Sequence, residues 1–203
     1  MPGKIILPHG GYRNLLSYQK SLIVYRATAY FCDRFLNLGD RTRDQMLQAA
    51  RSGKQNIIEG SQAAGTSKKM ELKLTAVARA SLEELLEDYR DFLRVRGLKE
   101  WGIDHPFTKR LRELNRRPGS DYETFRPGIE HPDPAVSANT ILGMIKLTNY
   151  LLDRQLERLE RDFVEQGGLS ERMTRVRLAE RARQRRTAKD ENDRKDEKDA
   201  RPD

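Results

Sequence analysis

Between Tyr18 and Phe163 the apolar residues recur at alternating intervals of three and four positions, in four separate runs, and no two-residue alternation persists between them. An α-helix turns once in about 3.6 residues, so this spacing gathers each run on one helical face, whereas a half-buried strand would alternate. Helices of this kind bury their stripes against one another. The expected fold class is therefore all-α, an antiparallel up-down four-helix bundle, with a long Pro-rich connection before the fourth helix and a basic C-terminal helical extension.

The punctuation divides the chain. The first helix is read over about residues 17–38, with Ser17 as its cap and the face Tyr18, Leu22, Tyr25, Ala29, Cys32 and Leu36; Gly39 and Asp40 end it. Thr42 and Gln45 have capping-box spacing and open the second helix, at about 43–64. Thr66 or Ser67 caps the third, at about 67–96, along which Leu74, Ala78, Leu82, Leu85, Tyr89 and Phe92 make one stripe. Gly97 followed by Leu98 is the signature of a Schellman stop. In the connection, 97–133, Pro106, Pro118, Pro127 and Pro132 forbid a long continuous helix, although Phe107 to Asn115 suits a short one. Trp101, Phe107, Tyr122, Phe125 and Ile129 are available to pin this stretch to the bundle. Asp133 before Pro134 is a strong start for the fourth helix, at 134–166, with Ala138, Ile141, Ile145, Thr148, Leu152, Leu156, Leu159 and Phe163 on one face. Gly167 and Gly168 close the bundle at 168; Ser170 is read as the cap of a basic extension over 169–189, and 190–203 as a disordered charged tail.

The inner face of the second helix is unusual. Met46, Ala50, Gly53, Ile57 and Gly60 share it, and Ala49 widens the patch of small residues. Glycine inside a helix costs about 1 kcal/mol relative to alanine. Ala49, Ala50, Gly53 and Gly60 thus mark close helix packing. Asn56 and Glu59 lie among them and need polar partners if buried, so a structural network with Arg79, and with Arg51 or Lys54, is expected.

The 203 residues carry 39 Lys and Arg against 31 Asp and Glu, a net charge of +8 that favours polyanionic partners. That charge is unevenly distributed: residues 1–168 carry +5, 169–189 carry +6 and 190–203 carry −3. Arg172, Arg175, Arg177, Arg181, Arg183, Arg185 and Arg186 make the densest run, and arginine forks onto phosphate more effectively than lysine. Arg41, Arg43, Arg51, Lys54, Lys68, Lys69 and Lys73 are the second cationic set, on or beside the second and third helices.

The patterns of several other chemistries are missing. A lone cysteine, Cys32, allows no internal disulfide and no multi-cysteine zinc site, and it falls on an apolar stripe as a small core residue. His9, His105 and His131 lack metal-ligand spacing, and there is no Gly-rich phosphate loop or paired-carboxylate motif. No cofactor or metal is expected. Met1 to Gly11 has no apolar run before a cleavage site, and no stretch approaches the length of a membrane span, so a cytoplasmic protein without a signal peptide is the expectation. Arg126 and His131 are separated by four residues, the spacing of an Arg-x-x-x-x-His motif that some all-helical ribonucleases use. Here it lies in a proline-broken segment, which makes an enzyme the lesser alternative; a protein–protein scaffold is the other.

Tyr18-Gln19-Lys20, the stretch Gln45 to Gly60 with its Asn56-Ile57-Ile58-Glu59-Gly60 core, and Ala78 to Leu85 together resemble a known family. From Tyr12 to Leu98 the chain looks like the bacterial four-helix-bundle proteins first noted in intervening sequences of large-subunit ribosomal RNA genes. Ser120 to Thr124, Ala138-Asn139-Thr140, Asn149 to Gln155 and Gly167 to Arg172 resemble the longer branch with a C-terminal suffix region. The resemblance implies a ring-like homo-oligomer, pentameric in the better-known members. It also implies kinship with the accessory variability protein of diversity-generating retroelements, a basic bundle that associates with a reverse transcriptase and nucleic acid. No enzymatic activity is implied. The expected function is thus binding of RNA or DNA by a self-associating helical protein.

Overall fold

The computed structural model describes residue 6 and residues 9–199, with side chains as far as Glu191. Residues 1–5, 7 and 8, over which no signal peptide was expected, and residues 200–203, the end of the expected tail, lie outside the described residues.

The described chain is all-helical: a 3₁₀ turn at Tyr12–Asn14, then α1 (Leu16–Phe35), α2 (Arg41–Ala63), α3 (Lys68–Val95), α4 (Pro106–Arg116), α5 (Tyr122–Ile129), α6 (Pro134–Gln166) and α7 (Leu169–Asp199). No strand occurs among the described residues. α1 and α3 each pack against both α2 and α6, which closes the four long helices around one core. Ser52 and Ser81 join hydroxyls at 3.0 Å midway along α2 and α3, and Gly60 lies on the Glu71–Thr75 turn toward the end where the two helices are connected. Ser17 in the first turn of α1 donates to Gln155 far along α6 at 2.7 Å, while Tyr30 reaches the Glu130 carbonyl just ahead of α6.

The core is centred on Phe31, whose ring meets those of Phe35, Tyr89 and Phe92 at centroid separations of 5.1, 4.9 and 4.7 Å. The Tyr89 hydroxyl, buried with them, donates to Thr28 Oγ1 at 3.2 Å. The expected stripes of α2, α3 and α6 are the buried ones, apart from half-buried Leu74 and Leu156 and exposed Phe163. α1 is different. Its buried face is Lys20, Ile23, Val24, Ala27, Phe31 and Cys32, and the expected face through Tyr18, Leu22, Tyr25 and Ala29 is turned aside and only half buried. The rotation arises because α5 covers the side of α1 that carries Lys20: the ammonium donates to the Ser120 carbonyl and hydroxyl at 3.1 and 2.7 Å and lies 5.1 Å from the centre of the Phe125 ring.

Several helix starts need correction. Leu15, not Ser17, occupies the cap position of α1, and the Ser17 hydroxyl is spent on Gln155. Asp40 caps α2 by accepting from the Thr42 amide, since an ionised carboxylate accepts from helix N–H groups more strongly than a hydroxyl does. Ser170 lies within α7, and the Glu171 carboxylate satisfies the Gly168 amide instead. Three local signals hold: Ser67 accepts from Met70, Asp133 accepts from Ala135, and Gly97 adopts φ +66° with the Leu98 amide bonded to Leu93, the Schellman arrangement.

The connection is ordered and mostly helical. α5 is capped by a reciprocal Asp121–Thr124 box and contains Pro127, whose missing N–H removes a single bond from so short a helix. Tyr122, Phe125 and Ile129 are buried, and the Arg26 guanidinium lies 4.1 Å from the centre of the Tyr122 ring. Trp101 is half buried and Phe107 exposed. The boundary expected at 190 is also absent, because α7 runs on to Asp199: no glycine or proline interrupts 169–201.

Candidate nucleic-acid interface

The arginine run lies on α7, which makes few contacts with the packed helices and is about 46 Å long at 1.5 Å per residue. Arg175, Arg177, Arg181, Arg183, Arg185 and Arg186 are all exposed. Arg183 is paired with Glu180, and Arg175 donates to the Gln166 carbonyl at 2.5 Å; the other four have no carboxylate partner among the described residues. Arg172 departs from the expectation of a binding arginine. It lies in the first turn after the Gly167 bend, is 8% exposed, and has no hydrogen-bond partner among the described residues for any of its three guanidinium nitrogens.

The second cationic set divides. Arg41, Arg51, Lys69 and Lys73 are exposed. Arg43 is tied to Asp33, Lys68 to Glu71 at 2.9 Å, and Lys54 lies 4.5 Å from the centre of the Tyr25 ring, so these three are engaged within the chain. Ala49, Ala50, Gly53 and Gly60 are buried as expected, but the polar network is not one network. Asn56 donates to the carbonyl and hydroxyl of Ser52, Glu59 is exposed, and Arg79 turns away to Glu83 and Asp153. The reason is helical phase: Asn56 lies one turn from Ser52, whereas Glu59 faces outward.

Between α2 and α3 the small side chains leave a polar groove of about 410 Å³ lined by Gln45, Gln48, Ser52, Ser81, Glu84 and Asp88. Burial, reinforced by the charges of Asp91 and Glu84, pushes the Asp88 carboxyl up to about 6. A carboxyl that holds its proton more tightly in the fold than in the unfolded chain contributes stability below pH 4, and loses it as pH rises through 6. Asp88→Asn is therefore expected to raise unfolding free energy by about 1 kcal/mol at pH 8, after discounting for solvent screening, and to leave it unchanged near pH 4. Urea titrations at the two pH values measure this; equal shifts at both would exclude the ionisation as the cause.

Arg126 is exposed and clasped by Glu123 at 3.2 Å and Glu130 at 3.0 Å. The Nδ1 of His131 accepts the Asp133 amide at 3.1 Å, which directs that ring to the start of α6. Both residues of the Arg-x-x-x-x-His spacing thus have structural partners. Cys32 is fully buried, and that burial pushes its thiol up to about 12.

A further cationic cluster escaped the sequence reading. α4 and the residue after it carry Lys109, Arg110, Arg112, Arg116 and Arg117 against Glu113 alone, beside the chain's one tryptophan. Lys109 pairs with Asp104 and Arg110 with Glu113; Arg112, Arg116 and Arg117 have no acidic partner among the described residues, and the first two lie at the edge of a cavity that α4 forms with α6. Five bases to one acid within nine residues was the available signal.

Comparison of the chain with family models, with characterised proteins and with solved structures gave no match in any of the three.

Proposed function

We propose that this chain is a non-enzymatic, self-associating helical-bundle protein that binds RNA or DNA. The observation that carries the reading is α7: a long helix standing off the packed core, with Arg177, Arg181, Arg185 and Arg186 exposed and without a carboxylate partner among the described residues. Paired arginines serve the fold; unpaired ones spaced along a rod suit a phosphate backbone. In this reading the four long helices are an antiparallel up-down bundle, supported by contacts whose numbering rises along one helix as it falls along its neighbour: Ser52–Ser81 and Gly60–Glu71 between α2 and α3, Arg79–Asp153 and Glu83–Asn149 between α3 and α6. The likeness to the ribosomal intervening-sequence proteins extends the reading to membership of their suffix-bearing branch, a pentameric ring in the bacterial cytoplasm and service to a reverse transcriptase or other nucleic-acid enzyme.

Binding of a fluorescein-labelled oligonucleotide, followed by anisotropy between 50 and 300 mM salt, tests it. A steep linear fall of log affinity with log salt is expected. Replacing Arg177, Arg181, Arg185 and Arg186 by alanine should flatten that slope by about three and weaken binding about tenfold at physiological salt. The solution mass of the free protein should be a multiple, greater than one, of the 23.5 kDa chain, and adding the oligonucleotide should raise it by the mass of the bound strand. A monomer that does not bind at low salt removes the reading.

A further inference from the structure

The cavity between α4 and α6, about 580 Å³, differs from the rest of the surface in its chemistry. Trp101 and Tyr150 supply flat apolar walls, Arg112 and Arg116 supply charge, and Leu111 closes the floor by filling the space that a β-carbon at Gly143 would need. Its volume lies within the range of small-ligand sites.

Trp101 is held as a platform. Its backbone amide donates to Asn139 Oδ1 at 2.7 Å, and its indole stacks on His105 at 4.4 Å and on Phe107 at 5.1 Å. His105 and Phe107 are themselves only 5.8 Å apart. Rings on opposite faces of the indole would be separated by nearly the sum of the first two distances, so both cover the same face. Trp101 lines the cavity and neither His105 nor Phe107 does, so the indole face that those two rings leave uncovered is the one available to a ligand.

The polar groups are selective. Lys146 lies in the same wall but is bonded at 2.5 Å to Glu100, which Arg90 also contacts. Burial would raise the Glu100 carboxyl, but these two cations hold it below its usual range, so Lys146 is already compensated. The uncompensated charge belongs to Arg112 and Arg116. Asn115, also in the wall, has a buried Oδ1 with no donor among the described residues, an acceptor suited to an amino or imino N–H.

We propose that this cavity receives one unpaired nucleotide of a single-stranded nucleic acid, its base in the aromatic wall of Trp101 and Tyr150 and its phosphate on Arg112 and Arg116. The inference rests on the nucleic-acid reading above and assigns it a site apart from α7. An unstacked base offers a π-face of any sequence, a donor edge and an adjacent anion, the three features the wall complements. A duplex hides its base faces in its own stack and has none to offer.

Trp101 is the only tryptophan, so its emission reports on this cavity. Titrating the full chain with a 12-mer of oligouridylate is expected to quench that emission saturably, with the midpoint seen by anisotropy of the labelled strand. A duplex of equal length and inorganic polyphosphate should leave the emission unchanged. Arg112→Ala/Arg116→Ala, and separately Tyr150→Ala, should each weaken the strand about tenfold, while Tyr150→Phe retains parental affinity. Far-ultraviolet circular dichroism of each variant controls for folding. Anisotropy showing tight binding with unchanged emission and unchanged affinity in the Arg112/Arg116 variant overturns this site and leaves α7 standing. Equal quenching by uridine monophosphate overturns the single-strand assignment in favour of a free nucleotide. Absence of binding by both signals removes this site together with the general reading.

Discussion

Phe31→Ala is expected to lower the unfolding free energy by about 4 kcal/mol, within the range for deleting a fully buried phenylalanine. Phe31 is the ring through which α1 meets α3: Tyr89 and Phe92 both pack on it edge-on, and Phe35 closes the third side. Aromatic pairs of this geometry add to plain burial, and deletion leaves a cavity whose walls, held by long helices, collapse only in part. Tyr89 also anchors its hydroxyl on Thr28, so movement toward the void would stretch a buried hydrogen bond. For a domain of this size the loss corresponds to a fall of about 12 °C in Tm. Phe35→Ala, at the edge of the cluster and only partly buried, is the internal control and should cost less than half as much. Thermal unfolding followed by circular dichroism measures both. Equal losses at the two positions would contradict the placement of Phe31 at the centre.

The residues that announce themselves in the sequence are those whose environment is local. Ser67, Gly97 and Asp133 act within one turn of their own backbone, and the stripes of α2, α3 and α6 follow from repetition alone. α1 was legible as a helix but not in phase, because its burial is decided at long range. Ser120 accepts from the Lys20 ammonium from 100 residues away and draws an otherwise polar position inward. Pro127 misleads for a related reason: it ends long helices, yet α5 loses little by containing it and is held by Tyr122, Phe125 and Ile129.

The candidate sites divide along the same line. Charge density on α7 can be read from composition, but the internal partners that occupy Arg43, Lys54 and Lys68 cannot. Arg172 shows the limit most clearly, since nothing in its local sequence separates it from Arg175 or Arg177, yet its guanidinium alone of the three is buried. The cavity beside α4 depends on bringing residues near 101–116 against residues near 143–150, a contact that no periodicity encodes.

The second large effect lies where α2 and α3 touch, at Gly53. A β-carbon built there would lie 2.7 Å from both Cγ and Cδ2 of Leu82, closer than packed carbon atoms approach. Leu82 is fully buried, with Ala50, Ile57, Ala78 and Leu85 in the same core, so it has no open direction in which to retreat. Two effects then compete. Alanine in mid-helix is favoured over glycine by about 1 kcal/mol, whereas overpacking a tight core costs about 1–3 kcal/mol. For Gly53→Ala the second narrowly wins, and a small net loss is expected. For Gly53→Val the propensity gain shrinks, the steric load grows, and a loss of about 3 kcal/mol follows. The decisive measurement is a double-mutant cycle with Leu82→Ala. If the two side chains compete for one volume, Gly53→Ala should cost at least 1 kcal/mol less in the Leu82→Ala background than in the parent, and there turn stabilising. Urea unfolding of the four proteins provides the numbers. Stabilisation by Gly53→Ala in the parent chain itself, of the size expected for a surface glycine, would show that the two helices do not approach as closely as this contact requires.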